Sequence, residues 1–103
     1  MTLKQLEKLV ARIENEPYDY DAKVQKQKAI PNKLATNVDL HAMNLIDRLV
    51  PGGGSVSWAE HDEYALSVRL DELAKVATEA QIREIMLCGF FIDVDDGRVW
   101  SSV

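Results

Sequence analysis

The side chains with the most versatile chemistry in this chain of 103 residues are its two histidines and its single cysteine. His61 lies in the segment Glu-His-Asp-Glu at 60–63, where carboxylates beside an imidazole can hold a divalent cation. A structural zinc site requires four ligands, drawn mostly from Cys and His, and no second ligand pair follows at a recognisable spacing. The segment therefore predicts a solvated turn. His41 lies off the main apolar stripe of its helix, which predicts a surface or boundary position.

Cys88 is the only candidate nucleophile of its type. It falls at the predicted C-terminus of a helix, where the dipole disfavours a thiolate, and no Cys-His pair is visible in the sequence. It is therefore predicted to be a small buried side chain. A single cysteine excludes an internal disulfide and fits a reducing compartment. The first residues lack the apolar region and cleavage site typical of a signal peptide, and no apolar run reaches about 20 residues. We therefore predict a cytoplasmic protein without a membrane partner.

Two further segments have the composition of functional sites without their context. The segment Pro-Gly-Gly-Gly-Ser at 51–55 follows a helix, whereas a phosphate-binding loop follows a strand and carries a lysine, so it predicts a flexible connector. Asp93, Asp95 and Asp96 can supply carboxylates, but turns use aspartate for backbone hydrogen bonds. We find no catalytic constellation, cofactor site or metal site, and we predict that the protein is not an enzyme.

One segment combines basic and aromatic residues. Such a patch can contact a nucleic-acid backbone or another anion, and the alternative is a solvated lysine-rich face. Its members are Tyr18, Tyr20, Lys23, Lys26, Lys28 and Lys33.

The distribution of charge separates this segment from the rest of the chain. Residues 1–35 carry seven Lys/Arg and five Asp/Glu, a balance of +2, whereas residues 36–103 carry five and twelve, a balance of −7. Nucleic-acid binders present a basic surface to phosphate. Only the N-terminal third of this chain has such a surface to offer.

The N-terminal half predicts two strong helices. Residues 2–15 carry an apolar stripe and a Thr2–Gln5 capping box, and this helix can cover its own core or pair with a second copy in a homodimer. Residues 16–35 predict a mobile connector or a short exposed helix at 19–29. A second helix is predicted at 37–50 with Thr36 as N-cap. The chain is therefore divided into 1–35 and 36–103, within a single compact unit.

Residues 55–70 allow two interpretations. Ser57 and Glu60 fit a capping box that would open a long helix. Apolar residues alternate with other residues over 64–70, which is the period of a strand. We favour strands at 55–58 and 64–69.

The C-terminal third predicts two helices and a hairpin. The apolar faces on the two sides of Thr78 point in different directions, which indicates separate helices at 71–77 and 78–88, with Gly89 as the stop. Asp95-Asp96-Gly97 then turns a hairpin of strands 90–94 and 98–102. Its apolar residues are expected to close the core, and its 98–103 edge is expected to be open to a partner strand. Trp58 and Trp100 are expected on neighbouring strands. The fold class is α+β, mostly helical, with a small antiparallel sheet and a C-terminal β-hairpin.

The order of elements over 36–103, carried by "LDELAKVATEAQIREIMLCGFFIDVDDGRVW", resembles the winged helix-turn-helix superfamily. The resemblance implies that the helix at 78–88 enters the DNA major groove, that the hairpin contacts the backbone and that the N-terminal helix mediates dimerisation. Under this alternative the chain is a dimeric DNA-binding transcriptional regulator. Its anion contacts would be Arg83 together with the basic-aromatic residues at 18–33.

The acidic hairpin favours a different function, because aspartates repel phosphate. We expect a small acidic protein-binding regulator or inhibitor that engages the basic surface of a partner, such as a phage-type protein that targets a host nucleic-acid-binding enzyme. The predicted contacts are Asp93, Asp95, Asp96, Glu79, Glu84 and Trp100.

Overall fold

The computed structural model describes residues 1–102 and contains five helices and four strands. This confirms the α+β class with a small antiparallel sheet and a C-terminal hairpin, and it confirms strands rather than a helix after residue 55. The elements are α1 (Leu3–Glu14), α2 (Tyr20–Lys28), α3 (Val38–Leu49), β1 (Val56–Glu60), β2 (Glu63–Leu66), α4 (Leu70–Val76), α5 (Glu79–Leu87), β3 (Phe91–Asp93) and β4 (Arg98–Ser102).

Helix α1 covers the chain's own core. The capping box is present: the Thr2 hydroxyl accepts from the Gln5 N–H, and the Gln5 side chain accepts from the Thr2 N–H. Leu6, Leu9 and Val10 are buried, which places the apolar stripe against the rest of the molecule. The stripe is thus occupied within one chain, and a homodimer through this helix stays a prediction.

The break at Thr78 is confirmed. Thr78 and Gln81 form a second capping box, with hydrogen bonds of 2.9 and 3.2 Å, and α5 begins directly after it. Gly89 ends the segment at a φ of 99°, a left-handed conformation that glycine adopts without a steric cost. Two short helices at an angle therefore replace one straight rod, and both apolar faces reach the same core.

Two predictions about the surroundings of α3 are wrong. The N-cap is Asn37 rather than Thr36, and it makes no side-chain capping hydrogen bond within the described residues. The segment 51–55 is not a flexible connector, because Gly53 and Gly54 are buried. Asp47 accepts hydrogen bonds from the N–H groups of Gly52 and Gly54 at 3.0 and 3.3 Å, so the α3 side chain itself holds this turn.

The four strands form one antiparallel sheet in the order β1-β2-β4-β3. β4 pairs with β2 on one side and β3 on the other, so the prediction of an open edge at 98–103 is wrong for its described part. The edges are β1 and β3. Trp58 and Trp100 are not on adjacent strands either, because β2 lies between β1 and β4. One sheet face, including Ile92 and Val99, packs on the helices.

His41 is buried, which contradicts its predicted surface or boundary position. Its side chain is 3% exposed and lies between the loop before α3 and helix α5. A buried imidazole needs hydrogen-bond partners, and His41 finds them in the Leu34 N–H and the Glu84 carboxylate. Within residues 1–102, no helix is long and apolar enough to cross a membrane.

Candidate functional site

Four residues from four strands form one row on the sheet face opposite the core. Trp58 pairs with Ala65, Ala65 with Trp100, and Trp100 with Phe91. Directly opposed residues in antiparallel strands project to the same face, so these side chains lie side by side and form what we call the aromatic row. Trp58 is 40% exposed and Phe91 47% exposed, which makes this face a candidate binding surface.

The aromatic row is held together by ring contacts and by one arginine. Phe91 stacks on Trp100 with 4.6 Å between ring centroids and 24° between ring planes. The Arg98 guanidinium carbon lies 5.6 Å from the Trp58 ring centroid and 5.7 Å from that of Trp100, within the range of cation–π attraction. Phe91 and Arg98 were not predicted as site residues, because their approach to the tryptophans depends on strand register, which no local sequence signal specifies.

A groove of about 350 Å³ lies at the Phe91 end of the row, between α1 and β3. Phe91 and Trp100 line it, together with the aliphatic residues Val10, Ala11, Ile92 and Val94. Four carboxylates also line it, two from α1 and two from the hairpin. We call this the acidic groove, and its carboxylates are Glu7, Glu14, Asp93 and Asp95.

The carboxylates of the acidic groove differ from those of α5 in their partners. Glu79 pairs with Arg12 and Arg83, and Glu84 with His41. In contrast, none of the four groove carboxylates forms an ion pair among residues 1–102. Four carboxylates therefore line a small volume without an ion pair among the described residues, and Arg98 is the cross-strand partner of one of them, Asp93. This concentration of negative charge favours the approach of a positive group.

The structure thus divides the predicted partner-binding residues into two sets. Asp93, Asp95, Asp96 and Trp100 lie together on the hairpin, where the Asp93 carboxylate also accepts a hydrogen bond from the Asp96 N–H. Glu79 and Glu84 lie on α5 and face cations of α1 and the histidine of α3. Glu7 and Glu14 were not predicted. Glu7 and Glu14 are seven residues apart on α1, which places them along one face of that helix. Only the tertiary structure shows that this face lies beside the hairpin.

The basic-aromatic segment forms α2 and its flanks. Tyr18 and Tyr20 are largely exposed, and the Lys23 ammonium lies 5.9 Å from the Tyr18 ring centroid. Helix α2 buries no side chain fully. The Gln27 side chain donates to the Leu87 carbonyl and so joins α2 to α5. Lys23, Lys26, Lys28 and Lys33 form no ion pair in the part of the chain that the structure describes.

Helix α5, the candidate recognition helix, packs within its own chain. It contacts α1, α2 and α3, and Ile82 and Ile85 are buried. Arg83 pairs with Glu16, which follows the C-cap of α1. Arg83, the side chain of this helix expected to contact DNA, is thus used in an ion pair, and the polar Gln81 beside it is used in the capping box.

The remaining candidates for chemistry lie apart from one another. The His61 side chain is 86% exposed and lies beside Glu60. Cys88 is buried as predicted, and burial together with the charge of Glu84 raises the pKa of its thiol to about 11. No group of three or more His, Cys, Asp or Glu side chains in residues 1–102 is arranged to hold a metal ion.

Comparison with known proteins gives no relative for this chain. No protein-family model matches it, and neither a curated protein nor a solved structure does. The resemblance to winged-helix domains therefore stays a prediction based on the order of elements, and function has to be argued from the surfaces described above.

Proposed function

We propose that this chain is a non-enzymatic, cytoplasmic protein-binding regulator, and that its acidic groove engages a basic segment of a partner protein. The observation that carries the proposal is a set of four carboxylates that form no ion pair among residues 1–102, around a groove lined by Phe91 and Trp100. Aromatic side chains of this kind act as anchors in protein interfaces. Lysine and arginine combine a positive head with an apolar stem, so either can use both the carboxylates and the rings.

Electrostatics supports both the partner's chemistry and the mode of regulation. The −7 balance of residues 36–103 attracts a basic surface over several ångströms and speeds association. Basic surfaces on proteins commonly serve to bind nucleic acid. A chain that covers such a surface competes with phosphate for it, which makes inhibition of a nucleic-acid-binding protein the regulatory outcome that we propose.

Quantitative capture tests this proposal. The immobilised protein is exposed to a bacterial lysate, and retained proteins are quantified by isotope-labelled mass spectrometry for wild type and the double variant Asp93→Asn/Asp95→Asn. We expect at least one partner whose recovery falls about tenfold or more in this variant, because each lost charge pair at an interface weakens binding by about 1 kcal/mol or more. A peptide-level footprint of that partner should identify a Lys/Arg-rich contact.

The matched control is Asp62→Asn/Glu72→Gln, which removes the same charge from two exposed carboxylates outside the groove. It should retain the partner at the wild-type level. If no retained protein depends selectively on Asp93 and Asp95, the acidic groove is not the docking site. An equal loss of partner recovery in both variants would show that binding depends on net charge alone, and this would also contradict the proposal.

DNA binding is the second candidate function. It is favoured by Lys33 and the lysines of α2, which form no ion pair within the described residues. In this alternative the lysines contact the phosphate backbone and the protein is a DNA-binding regulator. Its signature is a gel shift that weakens steeply with salt and disappears in Lys23→Ala/Lys26→Ala. The same variant should leave protein capture through the acidic groove unchanged, so the two functions are separable.

A further inference from the structure

A second concave surface lies at the other end of the aromatic row, beyond Trp58 and Arg98. It has a volume of about 400 Å³, and its lining includes three buried apolar residues at and after β2, Ala65, Leu66 and Val68. Its polar lining includes two arginines, Arg69 and Arg98, and no Asp or Glu among residues 1–102. We call it the arginine cleft. Asp93, the cross-strand partner of Arg98, lies on the adjacent strand outside this lining.

Arg98 is the residue of this cleft with unused binding capacity. Its guanidinium lies between the rings of Trp58 and Trp100 and forms no ion pair within the described residues. Its Nε is buried and has no hydrogen-bond partner there. An unsatisfied buried donor is unfavourable, so binding of an acceptor by Arg98 would be favourable. Arg69, by comparison, is engaged by Asp71 at 3.1 Å.

We propose that the arginine cleft binds a nucleoside monophosphate, with the phosphate on Arg98 and the base on Trp58. An arginine fork matches two oxygens of a phosphate through Nε and a terminal nitrogen. To present both nitrogens, the guanidinium turns outward from between the two rings. The ring face of Trp58 that it leaves is then available to a planar base, and base–aromatic stacking is favourable for every base.

The size and position of the cleft support this ligand. Small-molecule sites commonly measure 300–1,000 Å³ and combine apolar walls with a few polar groups, as this cleft does. The ligand class and the lining residues differ from those of the acidic groove, which adjoins the cleft where Asp93 is the cross-strand partner of Arg98. The proposal therefore goes beyond the protein-binding function and does not depend on it.

Tryptophan fluorescence gives a direct measurement, because the chain contains two tryptophans and both flank Arg98. Wild-type protein is titrated with AMP, GMP, CMP and UMP, excited at the red edge of the tryptophan band, and affinities are confirmed by calorimetry. We expect saturable quenching by at least one nucleotide. Adenosine lacks the phosphate, inorganic phosphate lacks the base, and N-acetylglutamate, an anion of another class, lacks both. Each should bind at least about tenfold more weakly.

Arg98→Gln should raise the nucleotide Kd by about tenfold or more, since it removes the charged fork. Arg48→Gln, which removes an exposed arginine of α3, should leave the Kd unchanged. Circular dichroism verifies that each variant is folded. If Arg98→Gln does not fold, Trp58→Leu tests the proposed stacking instead, with nucleotide binding measured by calorimetry. Absence of binding, equal binding by phosphate alone, or binding of N-acetylglutamate in place of nucleotides would each overturn the assignment.

Discussion

At the residue scale, His41 joins three parts of the chain. Its Nδ1 accepts the Leu34 N–H at 3.0 Å, and its Nε2 lies 3.0 Å from a Glu84 carboxylate oxygen. Because Nδ1 is the acceptor, the proton of the neutral ring is on Nε2 and donates to Glu84. One side chain thereby attaches the loop before α3 to both α3 and α5.

Replacing His41 should reveal this role. His41→Leu leaves the Leu34 N–H and the half-buried Glu84 carboxylate without their partner, and we expect the free energy of unfolding to fall by about 2 kcal/mol. Urea denaturation followed by circular dichroism measures the change. His61→Asn is the control, because His61 is exposed at a φ of 57° that asparagine tolerates, and its stability should stay within about 0.5 kcal/mol of wild type.

Cys88 predicts a dependence of stability on alkaline pH. Burial raises the pKa of its thiol to about 11 from 9.0, so the folded state holds the proton more tightly than the unfolded chain. The resulting stability is fully present below pH 9 and is lost as the pH rises through about 11. Between pH 8 and pH 11, wild type should lose about 2 kcal/mol more than Cys88→Ala does. Parallel pH profiles of the two proteins would contradict this.

At the element scale, the turn after α3 is a packed structure. A Cβ at Gly54 would lie 2.1 Å from the Met43 carbonyl oxygen and 2.8 Å from the Asp47 Cβ. A Cβ at Gly52 would meet nothing within 4 Å, so glycine is favoured at this position only by its φ of 85°. The two glycines therefore serve different purposes, close approach to α3 in one case and a left-handed backbone in the other.

Alanine substitutions distinguish these purposes. Gly54→Ala should destabilise the protein by about 3 kcal/mol or more, since rigid backbone of α3 has to move. Gly52→Ala should cost about 1 kcal/mol, the penalty of a left-handed conformation for a residue with a Cβ. Thermal and urea denaturation check both values. A small effect at Gly54 would show that α3 and the turn separate easily.

The capping boxes offer a second test at this scale. Thr78→Ala removes the hydroxyl that accepts from the Gln81 N–H at the start of α5, and a loss of about 1 kcal/mol is expected. Thr36→Ala is the matched control, because Thr36 is exposed and does not cap α3. Its unfolding midpoint in urea should equal that of wild type. An equal loss at both positions would assign a capping role to Thr36 after all.

At the scale of the whole molecule, the sheet presents opposite charges at the two ends of one aromatic row. The acidic groove lies at Phe91 and the arginine cleft at Trp58, with Trp100 between them. The two sites share no lining residue, and they adjoin where Asp93 of the acidic groove is the cross-strand partner of Arg98 of the arginine cleft.

Oligomeric state is a property of this scale as well. Because α1 buries Leu6, Leu9 and Val10 in its own chain, little apolar surface of the helix remains for a second copy. We expect light scattering after size exclusion to give the mass of one chain at micromolar concentration. A stable dimer that Leu3→Glu dissociates would instead place the exposed Leu3 in an interface.

Local rules predicted much of this fold. Apolar periodicity and capping residues identified α1, α3 and the break at Thr78. The alternation of apolar residues with a period of two identified the strands after residue 55. These features depend on residues within one or two turns of each other. The same rules placed the N-cap of α3 one residue early, because Thr36 and Asn37 are both residues that local preference allows there. They treated the glycines at 52–54 as a connector, since the packing of Gly54 against Met43 is not local information.

The sequence by itself therefore determined the elements, the charge division between residues 1–35 and 36–103, and the hairpin with its three aspartates. The tertiary structure decided which strand became interior, which brought Trp58, Trp100 and Phe91 into one row, and it placed Glu7 and Glu14 opposite Asp93 and Asp95. The physical reason is range. Helix and turn formation depend on neighbours along the chain, whereas strand register and helix placement depend on packing between residues far apart in sequence.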